Sequence, residues 1–246
     1  MIELDKIYHN DCLIGMKEIP NNFVDCVICD LPYGTTQNPW DSIIPLDELW
    51  EQYKRICKPN AAIVLFSQQP FTAKLIMSNI TMFRYEWIWE KENSTGFLNA
   101  KRMPLKIHEN ILLFYEKLPT YNPIMREGFK PYYKKRKKPQ SGNYHWYNAI
   151  SSGSEDGSRY PIDIIQFNKD TNTFHPTQKP VKLIEYLITT YTNKGDIVLD
   201  NCIGSGTTAV AACNIGRHFI GFEKDEMYFR LAEKRIKENN RQLKLF

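Results

Sequence analysis

The sequence contains no apolar run that approaches the length of a membrane span, so it predicts no membrane-spanning segment. The opening residues 1–6 lack the apolar stretch of a secretory signal, and we therefore expect a cytoplasmic protein with reduced thiols. Of the six cysteines, Cys26 and Cys29 form a C-x-x-C pair, but no second pair at metal-ligand spacing follows. Within a strand, side chains three positions apart point to opposite faces. The sequence therefore predicts no metal site.

An excess of charge of one sign is also lacking. The net charge is only +4 over 246 residues, so the protein as a whole is not a polycation and any nucleic-acid surface must be local. No internal repeat or low-complexity tract is visible. With 42% hydrophobic residues, the chain is long enough for one large α/β domain with a small inserted lobe.

Short apolar runs alternate with segments of helical periodicity over most of the chain. This alternation predicts an α/β fold with a mainly parallel, twisted sheet and helices on both faces. Strands are predicted at residues 2–9, 23–30, 61–67, 85–89, 111–115, 197–200 and 217–223. Helices are predicted at residues 13–19, 46–57, 71–79, 181–190, 209–214 and 225–239.

The pattern changes at residues 117–163, which are polar and show no sustained period. We predict that this region is an insertion into a domain formed by residues 1–116 and 164–246. At its centre, basic residues are interleaved with aromatic residues, as expected where phosphates are neutralised and bases are stacked. A solvated charged face is the alternative interpretation. The predicted DNA-binding residues are Lys130, Lys134, Lys135, Arg136, Lys137 and Lys138.

The segment Asp30-Leu31-Pro32-Tyr33-Gly34 follows a buried strand, at the sheet edge where open α/β folds bind ligands. The Asp30 carboxylate can accept a hydrogen bond from an amine. Pro32 has no N–H group, so no donor of its own competes for the carbonyl of the preceding peptide. Tyr33 offers a flat face for stacking. This set suits a flat heterocycle with an exocyclic amino group, although an Asp-x-Pro turn without function is the alternative. Asp30, Leu31, Pro32 and Tyr33 are the predicted catalytic residues.

A second motif, Gly204-Ser205-Gly206-Thr207-Thr208-Ala209, lies between a predicted strand and a predicted helix. It fits G-x-G-x-x-G/A, and Glu223 lies 19 residues after the first glycine, close to the spacing of an acidic residue that accepts ribose hydroxyls. The context favours an adenosine-type cofactor over a structural turn. A nicotinamide dinucleotide fits less well than S-adenosylmethionine, because only one strand follows the loop. The order of the motifs suggests a sheet whose halves are permuted in the chain.

Four features occur in a diagnostic order: Asp30-Leu31-Pro32-Tyr33, the basic insertion, His175-Pro176-Thr177-Gln178-Lys179-Pro180, and residues 200–207. Together they resemble the β-class DNA amino-methyltransferases, which modify adenine N6 or cytosine N4. The resemblance implies a Rossmann-like methyltransferase fold with circularly permuted motifs and S-adenosyl-L-methionine as cofactor. It also implies double-stranded DNA as substrate, base flipping, and target recognition by the insertion. A partner restriction endonuclease and a homodimer are consistent with it, but no sequence feature identifies an interface.

The resemblance also implies residue roles. Asp30 and the Leu31 carbonyl would accept from the target amine, and Tyr33 would stack on the flipped base. The residues implied in cofactor binding are Asp11, Cys12, Asp30, Thr177, Gln178, Lys179, Asp200, Asn201, Gly204, Ser205, Gly206, Thr207, Glu223 and Lys224. Two departures from the family pattern stand out: Leu31 replaces the commoner proline, and Asn201-Cys202 replace Pro-Phe, which changes the packing beside the cofactor.

Aspartate at the first motif position is typical of the adenine enzymes, whereas serine is typical of the cytosine enzymes. The sequence therefore predicts an adenine-N6 DNA methyltransferase in a restriction-modification system. An N4-cytosine methyltransferase shares almost every feature and remains the alternative. A nicotinamide-dependent oxidoreductase is disfavoured by the motif order, and a non-catalytic DNA-binding module would leave both ligand motifs unused.

Overall fold

The computed structural model describes residues 2–34, 42–135, 151–171 and 178–243. The chain forms two units, one built from Met1–Asn122 with Asp163–Phe246 and a smaller one from Pro123–Ile162. The larger unit contains both ligand motifs. Within the described residues, no helix is both long enough and apolar enough to cross a membrane.

The larger unit is built on an eight-stranded sheet in the order β1-β10-β9-β2-β3-β5-β4-β8. The five pairs β1/β10, β10/β9, β9/β2, β2/β3 and β4/β8 are parallel, whereas β5 runs antiparallel to β3 and to β4. The strands of the chain are β1 Lys6–His9, β2 Val24–Asp30, β3 Cys57–Ser67, β4 Phe83–Thr95, β5 Lys106–Phe114, β6 Tyr132–Lys135, β7 Ser151–Ser154, β8 Ile164–Gln166, β9 Ile197–Asp200 and β10 His218–Glu223.

Six helices accompany the strands in the described part of the chain. They are α1 Cys12–Gly15, α2 Leu46–Ile56, α3 Phe71–Ser78, α4 Val181–Tyr191, α5 Thr207–Asn214 and α6 Glu226–Leu243. Helix α2 illustrates why they form: its buried residues Leu49, Trp50, Tyr53 and Ile56 recur at helical spacing and create one apolar face. The predicted helix at residues 13–19 is instead α1 followed by a 3₁₀ turn, Met16–Glu18.

Apolar side chains of the sheet pack on both faces. In β2, Cys26 and Ile28 belong to the cluster that includes α4, whereas Val27 and Cys29 belong to the cluster that includes α2. This alternation confirms that Cys26 and Cys29 point to opposite faces of the sheet. Because both faces of β2 are covered, residues 26–29 form an uninterrupted apolar run in the sequence.

Several strands differ from the predicted elements: β1 is shorter, β3 begins earlier, at Cys57, and β8 has no counterpart among the predicted strands. Strands β4 and β5 extend well beyond the apolar cores at residues 85–89 and 111–115, and they pair antiparallel out to Thr95 and Lys106. Their outer halves are polar, so ladder hydrogen bonds rather than apolar burial define them. The region without a sustained period in the sequence contains an antiparallel pair, β6 with β7, in the smaller unit.

Candidate functional site

A cavity of about 360 Å³ opens at the carboxyl ends of β2, β9 and β10, where Asp30, Asp200 and Glu223 end their strands. Its volume lies within the range of small-molecule sites, about 300–1,000 Å³. The predicted site residues that line it are Asp11, Cys12, Asp30, Leu31, Pro32, Tyr33, Gln178, Lys179, Asp200, Asn201, Gly204, Ser205, Thr207, Glu223 and Lys224. The structure therefore brings the two ligand motifs together. Thr177 lies outside the described residues.

Both carboxylate oxygens of Asp30 are engaged. Oδ1 accepts a hydrogen bond from the Tyr33 hydroxyl at 2.6 Å, and Oδ2 accepts one from Lys179 Nζ at 2.5 Å. Each carboxylate oxygen has two lone pairs, so each can accept a second donor. The two existing partners fix the plane of the carboxylate, and its side chain stays 28% exposed. Asp30 is therefore held rigidly and remains accessible from the cavity.

Lys179 lies between two carboxylates. Its Nζ is 2.5 Å from Asp30 Oδ2 and 3.2 Å from Glu109 Oε2, the second contact being an ion pair outside hydrogen-bond geometry. Lys91 Nζ contacts the other oxygen of Glu109. Burial lowers the pKa of Lys179, but Asp30 and Glu109 more than offset this effect and the net shift is upward. Lys179 is therefore a cation held beside the predicted catalytic carboxylate.

Glu109 shows the complementary behaviour. Burial raises its pKa, but the ammonium groups of Lys179 and Lys91 outweigh burial, and the net shift is downward. Asp30, Glu109, Lys91 and Lys179 thus form a four-charge group with no net charge. The side chains of Lys91, Glu109 and Lys179 are at most 12% exposed. Balanced pairing is what allows these charges to stay buried.

Tyr33 is placed by two contacts. Its ring stacks on Phe71, with centroids 5.4 Å apart and planes at 28°, and its hydroxyl donates to Asp30. Burial, with the nearby Asp30 and Glu109 charges, raises the pKa of Tyr33 well above its ordinary value. The residue therefore remains a neutral phenol that orients Asp30 at neutral pH.

The glycine loop is attached to the end of β10 by Glu223. Oε2 accepts from the Gly204 N–H at 2.9 Å and Oε1 accepts from the Asp225 N–H at 2.8 Å. Burial raises the pKa of Glu223, while these backbone donors act in the opposite direction. Each carboxylate oxygen has a second lone pair, so Glu223, which lines the cavity, can accept two further hydrogen bonds.

Asp200 supports the same loop from β9. Its Oδ2 accepts from Thr208 Oγ1 at 2.6 Å and its Oδ1 accepts from the Cys202 N–H at 3.1 Å. Burial raises the pKa of Asp200 to about 7, although both hydrogen bonds favour the ionised form. Asp200 therefore fixes the loop at Cys202 and at Thr208, on either side of Gly204 and Ser205 in the chain.

The other predicted cofactor residues have contacts that position them around the cavity. The Asp11 side chain caps α1 by accepting from the Leu13 N–H at 2.9 Å. Gln178 accepts from Ser205 Oγ at 3.3 Å, and Asn201 accepts from Tyr53 at 2.5 Å. That last bond gives Asn201, one of the departures from the family pattern, a buried polar partner. Cys12 is buried and Lys224 is exposed.

Gly206 supports the loop from behind rather than lining the cavity. Its φ is +82°, and a Cβ placed there would lie 3.0 Å from the Cβ of Ala232 in α6. Gly204 has φ +52°, but a Cβ there would meet nothing within 4 Å. Gly206 is therefore required both by the backbone conformation and by close packing, and Gly204 only by conformation.

Gly206→Ala is expected to lower the free energy of unfolding by about 2–5 kcal/mol, the sum of left-handed strain and overpacking. Gly204→Ala is the matched control and is expected to cost only the strain, about 1–2 kcal/mol. Chemical denaturation of the two variants measures the difference. Equal losses would show that packing against Ala232 contributes nothing.

The basic residues predicted to contact DNA belong to the smaller unit. Lys130 and Lys134 are exposed, Lys135 ends β6, and Arg136, Lys137 and Lys138 lie outside the described residues. The Arg159 guanidinium stacks over Tyr132 at 4.1 Å from the ring centroid. An aromatic residue and cations therefore share this surface.

Sequence reasoning missed several residues that line the cavity, notably Lys91, Thr95 and Glu109. Trp89 and Glu109 are paired in the β4/β5 ladder, which brings Lys91 and Glu109 side by side. The available signal was a pair of oppositely charged residues at the polar ends of two neighbouring apolar strands. Within the described residues, no group of three or more His, Cys, Asp or Glu side chains is arranged to hold a metal ion.

Comparison with known proteins places this geometry in context. Residues 24–234 match the profile of a family described as DNA methylase. The type II methyltransferase M.BglII of Bacillus subtilis is 31% identical over 255 residues, which cover 93% of this chain and 68% of the relative. M.HinfI of Haemophilus influenzae, also a type II methyltransferase, is 26% identical over 96% of this chain and 69% of the relative.

Solved structures agree with these matches. The M1.HpyAVI–SAM complex is similar with a TM-score of 0.64 and 27% identity, over 94% of this chain and 98% of that chain. The PvuII DNA methyltransferase, described as cytosine-N4-specific, shares the fold with a TM-score of 0.67 over 95% of this chain and 90% of that chain, at 15% identity.

Proposed function

Because the chain belongs to the N6/N4 DNA methylase family, whose β-class members it matches in motif order, we propose that it is a site-specific adenine-N6 DNA methyltransferase. S-adenosylmethionine is its cofactor, as in the similar M1.HpyAVI complex. The observation that carries the proposal is the single cavity lined both by Asp30–Tyr33 and by the glycine loop with Glu223. In this proposal Asp30 accepts from the target amine and Glu223 accepts from the ribose hydroxyls of the cofactor, both within one cavity.

The residues present fit the cofactor. Glu223 has lone pairs for the ribose hydroxyls, and its carboxylate is fixed by the N–H groups of Gly204 and Asp225. Gly206 allows the loop to pack closely on α6, so the backbone can approach the methionine portion. When bound, S-adenosylmethionine supplies an electrophilic methyl group on a sulfonium.

Asp30 would activate the target amine. The nitrogen lone pair of an exocyclic amine is delocalised into the ring, so the amine is a poor nucleophile. The Asp30 carboxylate and the Leu31 carbonyl would accept from its two hydrogens and favour a pyramidal nitrogen. They would also stabilise the positive charge that develops on that nitrogen. Tyr33 and Lys179 hold the carboxylate in position, which contributes through orientation.

The target base has to leave the duplex to reach Asp30, at a cost of a few kcal/mol. Stacking of the base on Tyr33, which lines the cavity and packs on Phe71, would offset part of this cost. Asp30 at the first motif position favours adenine over cytosine.

Methyl transfer from labelled S-adenosylmethionine to unmethylated DNA, followed by nucleoside analysis, tests the proposal. We expect N6-methyladenine. N4-methylcytosine would keep the site and reverse the base assignment, whereas the absence of label in DNA would contradict the function. Sequencing of the modified DNA would identify the recognition sequence. The type II relatives also support a partner nuclease of the same specificity.

The exposed lysines of the smaller unit are proposed to contact phosphates. In the double variant Lys130→Gln/Lys134→Gln, the slope of log K against log salt concentration is expected to become shallower by about 2, since each phosphate contact contributes about 0.9. Lys234→Gln/Lys237→Gln, which removes two exposed lysines from α6, is the control and should leave the slope unchanged. Fluorescence anisotropy over a salt series measures both. An unaltered slope in the first variant would count against the contacts.

A further inference from the structure

An exposed apolar tip joins β4 to β5, and we call residues 96–105 the β4–β5 tip. Phe97 is 81% exposed, Leu98 is 99% exposed and Met103 is 54% exposed. Single exposed apolar residues are common, but large ones gathered in one short segment indicate an interaction site. The exposure therefore calls for a binding partner.

The tip is folded although these side chains are exposed. Gly96 adopts φ +88° and leads into a 3₁₀ turn, Phe97–Asn99. The Asn99 N–H donates to the Gly96 carbonyl at 2.9 Å, and the Met103 N–H donates to the Asn99 carbonyl at 3.0 Å. These backbone hydrogen bonds already order the turn that carries Phe97 and Leu98. Binding through these side chains would therefore cost little additional backbone entropy.

The charge of the tip identifies the kind of partner. It contains Lys101 and Arg102, both exposed, and no acidic residue, and the exposed Lys106 follows at the start of β5. DNA carries anionic phosphates on the outside and stacked bases inside. Cations of the tip would therefore contact the phosphates, and its apolar side chains would contact the bases. A second copy docking symmetrically through the same tip would bring like charges together.

The tip also lies beside the cavity. Lys91 and Thr95, both in β4, line the cavity that contains Asp30. Phe97 is two residues beyond Thr95, so their Cα atoms are at most about 7 Å apart. This distance is about two base-pair steps of stacked DNA.

We propose that Phe97 and Leu98 form a wedge that enters the DNA duplex and fills the space left by the flipped target base. This inference rests on the proposed function and adds a residue pair that promotes flipping. Phe and Leu are side chains that proteins insert between base steps, and filling the gap offsets the cost of unstacking. Lys101 and Arg102 would contact the phosphates on either side.

The test compares two duplexes that carry the recognition sequence found by sequencing. One is fully paired, and the other has an abasic site opposite the target base, so that flipping is already easier. For Phe97→Ala/Leu98→Ala, kcat/KM is expected to fall at least about tenfold on the paired duplex and less than about threefold on the abasic duplex. Met77→Ala, which removes an exposed side chain from α3, is the control and should change neither.

Equal losses on both duplexes, or no loss on either, would overturn the wedge. A changed sedimentation coefficient of the free double variant, without a difference between the duplexes, would assign the tip to self-association instead. Cofactor affinity and the thermal midpoint show whether the double variant is folded. The single variant Leu98→Ala provides a second test, because the Leu98 side chain is almost fully exposed. If the wild-type protein modifies neither duplex, the proposed function fails and this inference with it.

Discussion

Asp30→Ala is expected to reduce methyl transfer by about 10³-fold or more, because the variant removes the carboxylate that we propose accepts from the target amine. Cofactor affinity should stay within a few-fold of the wild-type value, since Glu223 and the glycine loop do not depend on Asp30 for their contacts. Single-turnover transfer and equilibrium binding of S-adenosylmethionine separate the two effects. Asp30→Asn should behave similarly, because its amide can accept through only one oxygen.

Asp25 offers a matched control in the same strand. It pairs with Lys58 at 2.6 Å and accepts from the Ile197 N–H at 3.0 Å. It lies five residues before Asp30, about 16 Å along β2. Asp25→Asn is expected to lower stability and to leave the transfer rate per folded molecule unchanged. Retained activity in Asp30→Ala would remove Asp30 from the catalytic role.

Much of the architecture follows from the sequence because both faces of the central strands are buried. Residues 26–29 and 197–199 are apolar without interruption, and Asp30 or Asp200 ends each strand at the edge that borders the cavity. Backbone requirements also mark the sequence, since Gly206 combines a left-handed conformation with contact to Ala232. Residues fixed by local rules of this kind could be placed without coordinates.

The charged group behind Asp30 could not be predicted in this way. Lys91, Glu109 and Lys179 lie on three separate segments, and their contacts depend on the register of β4 against β5. A shift of one residue would turn Glu109 to the opposite face of the sheet. The polar outer halves of β4 and β5 carry no apolar period that reports this register. Such a group becomes visible only when the strands are paired.

Lys179→Met is expected to lower methyl transfer by about 10²-fold, because Asp30 would lose the contact that fixes Oδ2. We propose that Lys179 is a positioning residue, so the loss should fall on kcat and not on the KM for DNA. Removal of one partner from a buried ion pair also leaves uncompensated charge, and the free energy of unfolding should drop by about 3–5 kcal/mol. Rapid-quench kinetics and chemical denaturation measure the two quantities.

Lys182→Met is the matched control, since Lys182 is three residues away, is 79% exposed and pairs with Glu185. It should have little effect on either quantity. The double variant Lys179→Met/Glu109→Gln tests the charge balance directly. It leaves one cation, Lys91, and one anion, Asp30, so it should be more stable than the sum of the single losses predicts. Strict additivity would show that the charges act independently.

The same group predicts a pH dependence of known sign. Lys179 and Lys91 hold the pKa of Glu109 below its ordinary value, so the folded state binds fewer protons than the unfolded state. Stability from Glu109 is therefore present above its unfolded pKa of about 4.3 and is lost as the pH falls through the folded value.

In Lys179→Met the pKa of Glu109 should rise, because burial then opposes only Lys91. The increase in unfolding free energy between about pH 3 and pH 6 should consequently be smaller than in Lys182→Met. An equal increase in both variants would mean that Lys179 does not control the charge of Glu109. Asp30 would then be held by its own contacts with Lys179 and Tyr33, without a contribution from Glu109.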